Sequence, residues 1–291
     1  MQIESPIGTW TIEPVIVLGI AVVALLYGWG IRYERRTGFG HPPRWWQISA
    51  FYVGLLTIFV ALDSPLDELA DQWLWAHMIE HELLILLAAP LLLLGEPLWP
   101  VWRALPRGVR RTTLRGVLRL GWPRRAWEWI EGWLFAPVTA LVLFIVTFSL
   151  WHLSQLYDLA EANEGIHALQ HWTFLATSLL VWAQVIPSRP LKPRLSYVGQ
   201  AIYVVILGMY SNVVGSFFVF STAPFYPYYA NLPRPSGAVS PLVDQHLAGA
   251  AMDVPGTIVL FIAISLLLWL WLREDEAAGH AESRPVVRVT R

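Results

Sequence analysis

The chain has 291 residues, of which 56% are hydrophobic and 14% charged, with a formal net charge of −1 and no cysteine. A soluble globular chain carries about 25% charged residues, so this composition argues against a soluble domain. The missing cysteines exclude disulfides, thiolate zinc sites and thiol copper chemistry, leaving His, Met and carboxylates as metal ligands.

In chain order, the apolar residues gather into seven runs, 14–32, 45–62, 75–95, 133–152, 166–186, 198–220 and 247–272. Each approaches the roughly 20 residues that a transmembrane helix needs. The predicted fold class is therefore all-α, a polytopic bundle of seven spans forming one domain over 1–273, with a short solvated tail over 274–291. The opening MQIESPIGTWTIEP lacks the basic region and cleavage site of a signal peptide.

Charge is sorted between alternate connections. Segments 32–44, 97–132, 187–197 and 273–291 hold all but one of the 20 Lys and Arg, the exception being Arg234. The other connections carry Asp63, Asp67, Glu68, Asp71, Asp158, Glu161, Glu164 and Asp244. By the positive-inside rule the N-terminus lies outside and the C-terminus in the cytoplasm. In the basic loop 97–132, arginines interleave with Trp99, Trp102, Trp122, Trp127 and Trp129. That pattern suits an interfacial helix on anionic headgroups of the lipid bilayer, not a nucleic-acid surface.

A repeat runs through the middle of the chain. Ser64-Pro-Leu-Asp-Glu-Leu-Ala-Asp leads to His77 and His81, and Ser154-Gln-Leu-Tyr-Asp-Leu-Ala-Glu leads to His167 and His171 at a constant offset. Both copies enter helices running in the same direction, which makes it a parallel repeat.

Six of the eight histidines stand at the outer ends of spans: His77 and His81, His152, His167 and His171, and His246. Residues four apart on a helix share a face, the second roughly 6 Å deeper. Two such pairs on facing helices form chelating surfaces for imidazole-loving metals such as copper, iron, zinc or nickel. A lone histidine near an interface is ordinarily solvated or hydrogen-bonded, whereas six at one depth point to a metal centre. His41 and His280, in a loop and the tail, are read as ordinary surface residues.

Further ligands or supporting groups are sought among Glu80 and Asp253, and among Met78 and Met252. Asp253 lies seven residues beyond His246, hence on the same face and about 10 Å deeper. A carboxylate at that depth ligates, accepts a proton, orients a histidine or is held neutral in the bundle. Thioether suits cuprous copper, but Met is also an ordinary gap-filler. Pro90 and Pro255 fall inside spans, where each removes a backbone donor. Gly208 and Gly215 on one face of the sixth span suit close helix packing. The sequence carries no glycine-rich phosphate loop, GxSxG or HExxH.

Four separated stretches resemble the CtaG-type assembly factors of caa-type cytochrome c oxidases. They are SPLDELADQWLWAHMIEHELLILLAAPLLLLGEP (64–97), WHLSQLYD (151–158), HALQHWTFL (167–175) and DQHLAGAAMDVPG (244–256). The resemblance implies a seven-helix protein of the bacterial inner membrane, with cytochrome c oxidase subunits as partners and copper delivery as its role. The matching positions are His77, His81, His152, His167, His171 and the pair Asp244-Gln245. The chain departs from the family pattern at His246, where glutamine is commoner, and at Asp253, where tryptophan is commoner. The expectation is a copper-holding assembly factor that works by exchange and not by catalysis. A membrane cytochrome with a b-type haem held by His pairs, a metal-dependent membrane enzyme and a purely structural bundle whose histidines only hydrogen-bond are the alternatives.

Overall fold

The computed structural model describes residues 12–38, 40–119, 128–129, 132–234 and 237–282. Its elements are helical: α1 (Pro14–Thr37), α2 (Trp45–Leu62), α3 (Pro65–Ala70), α4 (Leu74–Glu82), α5 (Ala89–Leu94), α6 (Leu98–Ala104), α7 (Arg107–Arg119), α8 (Pro137–Trp151), α9 (Ser154–Glu161), α10 (Glu164–Trp182), α11 (Tyr197–Val219), α12 (Pro227–Asn231) and α13 (Pro241–Glu282). No strand is present among the described residues.

Five helical segments are long and apolar enough to cross a membrane: Pro14–Thr37, Trp45–Ala70, Leu74–Leu94, Tyr197–Val219 and Pro241–Glu276. A sixth candidate is the pair α8 and α9, bent by 73° between them. The 19-residue α10 has the length of a span, but its mean hydropathy is lowered by His167, Gln170, His171, Thr173, Thr177 and Ser178. It is therefore not among the helices both long and apolar enough to cross a membrane. Of the predicted interfacial loop 97–132, α6 and α7 are described; Trp122 and Trp127 lie outside the described residues. The helix α13 runs through Glu282, so the predicted tail begins as helix.

The connections α3, α9 and α12 lie at the acidic end of the bundle. At the opposite, basic end, α1 closes on the left-handed Gly38 (φ 66°) with Arg35 and Arg36 in its last turn, a glycine cap with cations at the helix's negative pole. A Cβ on Gly30 would lie 1.9 Å from the Pro100 carbonyl oxygen, so only glycine lets α6 cross α1 there. The buried Glu34 pairs with Arg103 of α6 at 2.9 Å. Tyr27 stacks on Phe51 of α2 at 3.8 Å and donates to the Gly95 carbonyl at 2.7 Å.

The main core is built around α4, α5, α8, α10, α11 and α13, with Met78, Phe148, Phe174, Trp182 and Met252 in it. The glycines of α11 pack as expected: a Cβ on Gly249 of α13 would sit 2.6 Å from the Gly215 carbonyl, and one on Gly208 would sit 2.1 Å from Leu260.

Between α4 and α5 the chain makes a π-helical turn, Leu83–Ala88. In a π turn the N–H of residue 90 would serve the carbonyl of residue 85, and proline has none. The Trp182 indole N–H donates to the Ile85 carbonyl instead, at 2.8 Å. This exchange ties α4 to α10 one turn below the histidines. Pro255, by contrast, sits inside an unbroken α13.

Candidate metal centre

Two helices with their preceding short helices build the site. Ser64 caps α3 by accepting from the Leu66 N–H at 3.1 Å, and α4 follows after a three-residue break. The N-terminus of α4 is capped from far along the chain: the Asp244 carboxylate accepts from the N–H groups of Leu74 and Trp75, both at 3.2 Å. Asp244 is fully buried and paired with Arg234 at 2.9 Å; Arg234 in turn lies over the Trp73 ring at 4.8 Å. The neighbouring Gln245 holds the loop before α12, accepting from the Phe225 N–H at 2.6 Å and donating to the Ala223 carbonyl at 3.2 Å. The second helix is held more simply: α9 leads to Asn163, whose side chain caps α10 at the Ile166 N–H, 3.1 Å away.

These caps aim four imidazoles at one another. The His77 and His81 rings are 4.3 Å apart, His167 and His171 4.4 Å, His77 and His167 5.1 Å, and His81 and His171 5.4 Å. His77 Nε2 lies 2.9 Å from His81 Nε2. His77 Nδ1 lies 3.1 Å from Glu161 Oε1 and 3.3 Å from the Tyr229 hydroxyl. Tyr229, on α12, donates to the Ala70 carbonyl at 2.6 Å and lies 3.4 Å from Glu161 Oε2. His77 and His81 are 0% and 2% exposed, and His171 8%; His167 is half-buried.

Two sets of ligand atoms lie within 4.8 Å of one another: His77, His81 and His171, and His77, Glu161 and His167. Buried ring nitrogens without a hydrogen-bond partner among the described residues include His81 Nδ1, His167 Nε2 and His171 Nε2. Leaving buried polar atoms unpaired costs about 1–3 kcal/mol each. An ion with metal–nitrogen bonds of about 2.0–2.1 Å would satisfy several of them at once, so the donor set fits a nitrogen-loving metal. Outside the spanning helices, burial and the neighbouring Glu68 push the Asp71 carboxyl above the usual carboxylate range.

The other expected residues are placed differently. His152 ends α8 stacked on Phe148 at 4.2 Å, its Nδ1 2.7 Å from the Phe148 carbonyl and its buried Nε2 without a partner among the described residues. Phe174 packs near both it and the cluster, 6.3 Å from His152 and 4.6 Å from His81. His246 lies more than one turn inside α13, not at its opening, with Nε2 3.0 Å from the Ser221 carbonyl. The structure does not bring it against the four clustered rings. Glu80, the residue before His81 on α4, is fully buried, both carboxylate oxygens without a hydrogen bond among the described residues. Asp253 packs against α11, where a Cβ on Gly215 would meet its Oδ1 at 2.1 Å. Met78 and Met252 are core residues, 1% exposed each. His41 is exposed. In the sequence Glu161 reads as one more acidic loop residue, and Tyr229 does not stand out from its neighbours. The repeat holds a clue to the first, since Glu161 aligns with Asp71 and lies six residues before His167.

No solved structure matches the chain. It is 25% identical to an uncharacterised protein of Mycobacterium bovis and, equally, to one of Mycobacterium tuberculosis, over 94% of this chain and 41% of each relative. It is 24% identical to an uncharacterised protein of Mycobacterium leprae, over 92% of this chain and 40% of that one. The chain thus spans about two-fifths of the length of the curated relatives it matches. Residues 25–274 match the family described as cytochrome c oxidase caa3 assembly factor (Caa3_CtaG). That match covers both histidine pairs, α9, α12 and most of α13, and the chain belongs to this family of oxidase assembly factors.

Proposed function

We propose that this protein holds a copper ion in the cluster of His77, His81, His167 and His171 and passes it to cytochrome c oxidase subunits during assembly. The ion is cargo, bound and released without turnover. The observation that carries this reading is the convergence of four imidazoles from two helices, several of their buried ring nitrogens having no partner among the described residues. The family supplies the oxidase; the nitrogen donors supply the preference for copper over a hard cation. His152 is assigned to the same centre at longer range, and Glu80 to its electrostatic support. Rings packed 4.3–5.4 Å apart accommodate an ion more readily than a planar macrocycle between them.

The topology that goes with this function has α10 as a seventh span and the acidic end outside the cytoplasm, in a bacterial inner membrane. Charge sorting supports that orientation, and acidic connections there concentrate cations at the approach to the histidines.

The test is metal analysis of the detergent-purified protein, with an absorption spectrum on the same sample. Copper near one equivalent without a Soret band is expected. His77→Ala, which removes the residue common to both ligand sets, should abolish it while the variant still inserts in the membrane. Wild-type copper in that variant, or iron with a Soret band in the native protein, would overturn the proposal.

A further inference from the structure

His77 presents its two ring nitrogens to two different ligand sets. Nε2 faces His81 Nε2 at 2.9 Å, and His81 and His171 complete a set of three imidazoles, each no more than 8% exposed. Nδ1 faces Glu161 Oε1 at 3.1 Å, and Glu161 and His167 complete a second set, carboxylate and imidazole. The second set is the outer one. His167 comes a full turn before His171 on α10 and is only half-buried, and Glu161 ends α9 with its side chain 2% exposed.

A neutral imidazole has one lone pair and one N–H. His77 therefore serves one set at a time. We propose that these sets are two stations on one route: an ion is first captured by Glu161, His167 and His77 Nδ1, then handed across the His77 ring to Nε2, His81 and His171. This rests on the reading that the histidines hold copper, and adds to it an order of loading and a ligand, Glu161. In the transfer the bonds to Glu161, His167 and Nδ1 break and those to Nε2, His81 and His171 form. The ring changes tautomer: Nε2 releases its proton to water as the ion binds there, and Nδ1, beside Glu161 and Tyr229, takes one up as the ion leaves. Neither net charge nor oxidation state changes. The donor chemistry gives the route its direction: a carboxylate-bearing set reached through the half-buried His167 suits capture, and an all-imidazole buried set suits retention of a softer ion.

The experiment titrates the full-length, detergent-solubilised protein with cuprous ion buffered by a competing chelator, without oxygen, and follows loading by stopped flow. The native protein should take one ion tightly. Glu161→Gln should take one ion with affinity within about threefold of native, but load about tenfold more slowly. His171→Ala should keep one ion at about a hundredfold weaker affinity, and His171→Ala combined with Glu161→Gln should bind none. Should that double variant fail to fold, the loading rate of Glu161→Gln alone decides. A native loading rate in Glu161→Gln, or equal binding by His171→Ala with and without Glu161, would overturn the two-station route and leave the copper centre standing. Absence of copper from the native protein would instead overturn the reading on which the route rests.

Discussion

The two helices that carry the HxxxH pairs share a sequence pattern and differ in how the fold holds them. In α4 both histidines are buried, and its N-terminus is capped by Asp244 from the far end of the chain. In α10 the first histidine is half-buried, Leu169 and Trp172 beside the pair are 53% and 66% exposed, and the cap is the local Asn163. Local pattern sets which face the imidazoles share; tertiary burial sets which of them lies deep and which stands nearer the surface. Substitutions at matched positions of the two copies should separate these contributions.

The largest difference is expected between His81→Ala and His167→Ala. The first removes one of three buried ligands and should weaken copper affinity by more than about 100-fold, since even partners outside the ligand shell are worth 10–100-fold. The second leaves the buried set whole and should change equilibrium affinity by less than about threefold. Chelator competition on the two purified variants measures both; equal losses would erase the distinction between the helices.

The caps come next. Asp244→Ala strips two hydrogen bonds from the start of α4 and leaves the mostly buried Arg234 without its carboxylate. Breaking a buried pair in this way costs about 3–5 kcal/mol. Asn163→Ala removes one local cap from α10 and should cost about 1 kcal/mol. Thermal unfolding in detergent should rank them in that order, and the reverse ranking would mean that Asp244 does not hold α4.

These comparisons also mark what is legible without the structure. The apolar runs locate the long helices to within a few residues at most ends, and four-residue spacing puts His77 with His81 and His167 with His171 on shared faces, because both depend only on helical periodicity. Long-range pairings are not legible in this way. Nothing near residue 74 announces a cap at Asp244, and nothing near Pro90 announces that Trp182 will serve the carbonyl of Ile85. Glu161 is hidden differently: an acid among acids looks solvated until α9 folds back and turns its carboxylate towards His77. His246 sits deeper in its helix than its apolar run implies, because α13 begins at Pro241, ahead of that run.

Glu80 and Gln170 occupy the same position in the two copies, and both are fully buried with side-chain atoms that have no partner among the described residues. Glu80→Gln gives α4 the residue that α10 already carries, so the fold should survive. A carboxylate close to a bound cation in a medium of low dielectric favours the ion, and its removal should weaken copper binding by about tenfold. An unchanged affinity would make Glu80 electrostatically silent and leave its burial unexplained by the metal.

The smallest effect is expected at His246. An imidazole ligand there would enlarge the centre. Its Nε2, however, faces the Ser221 carbonyl at 3.0 Å, a contact in which the nitrogen must carry the proton, since a carbonyl can only accept. The lone pair then lies on Nδ1, and His246 belongs to neither set of converging ligand atoms among the described residues. Glutamine has an amide N–H that can make the same contact. His246→Gln should therefore keep copper content and affinity within about twofold of native, with the loop around Ser221 still held. A loss comparable to that of His81→Ala would place His246 among the ligands and require the loop to release it when the ion binds.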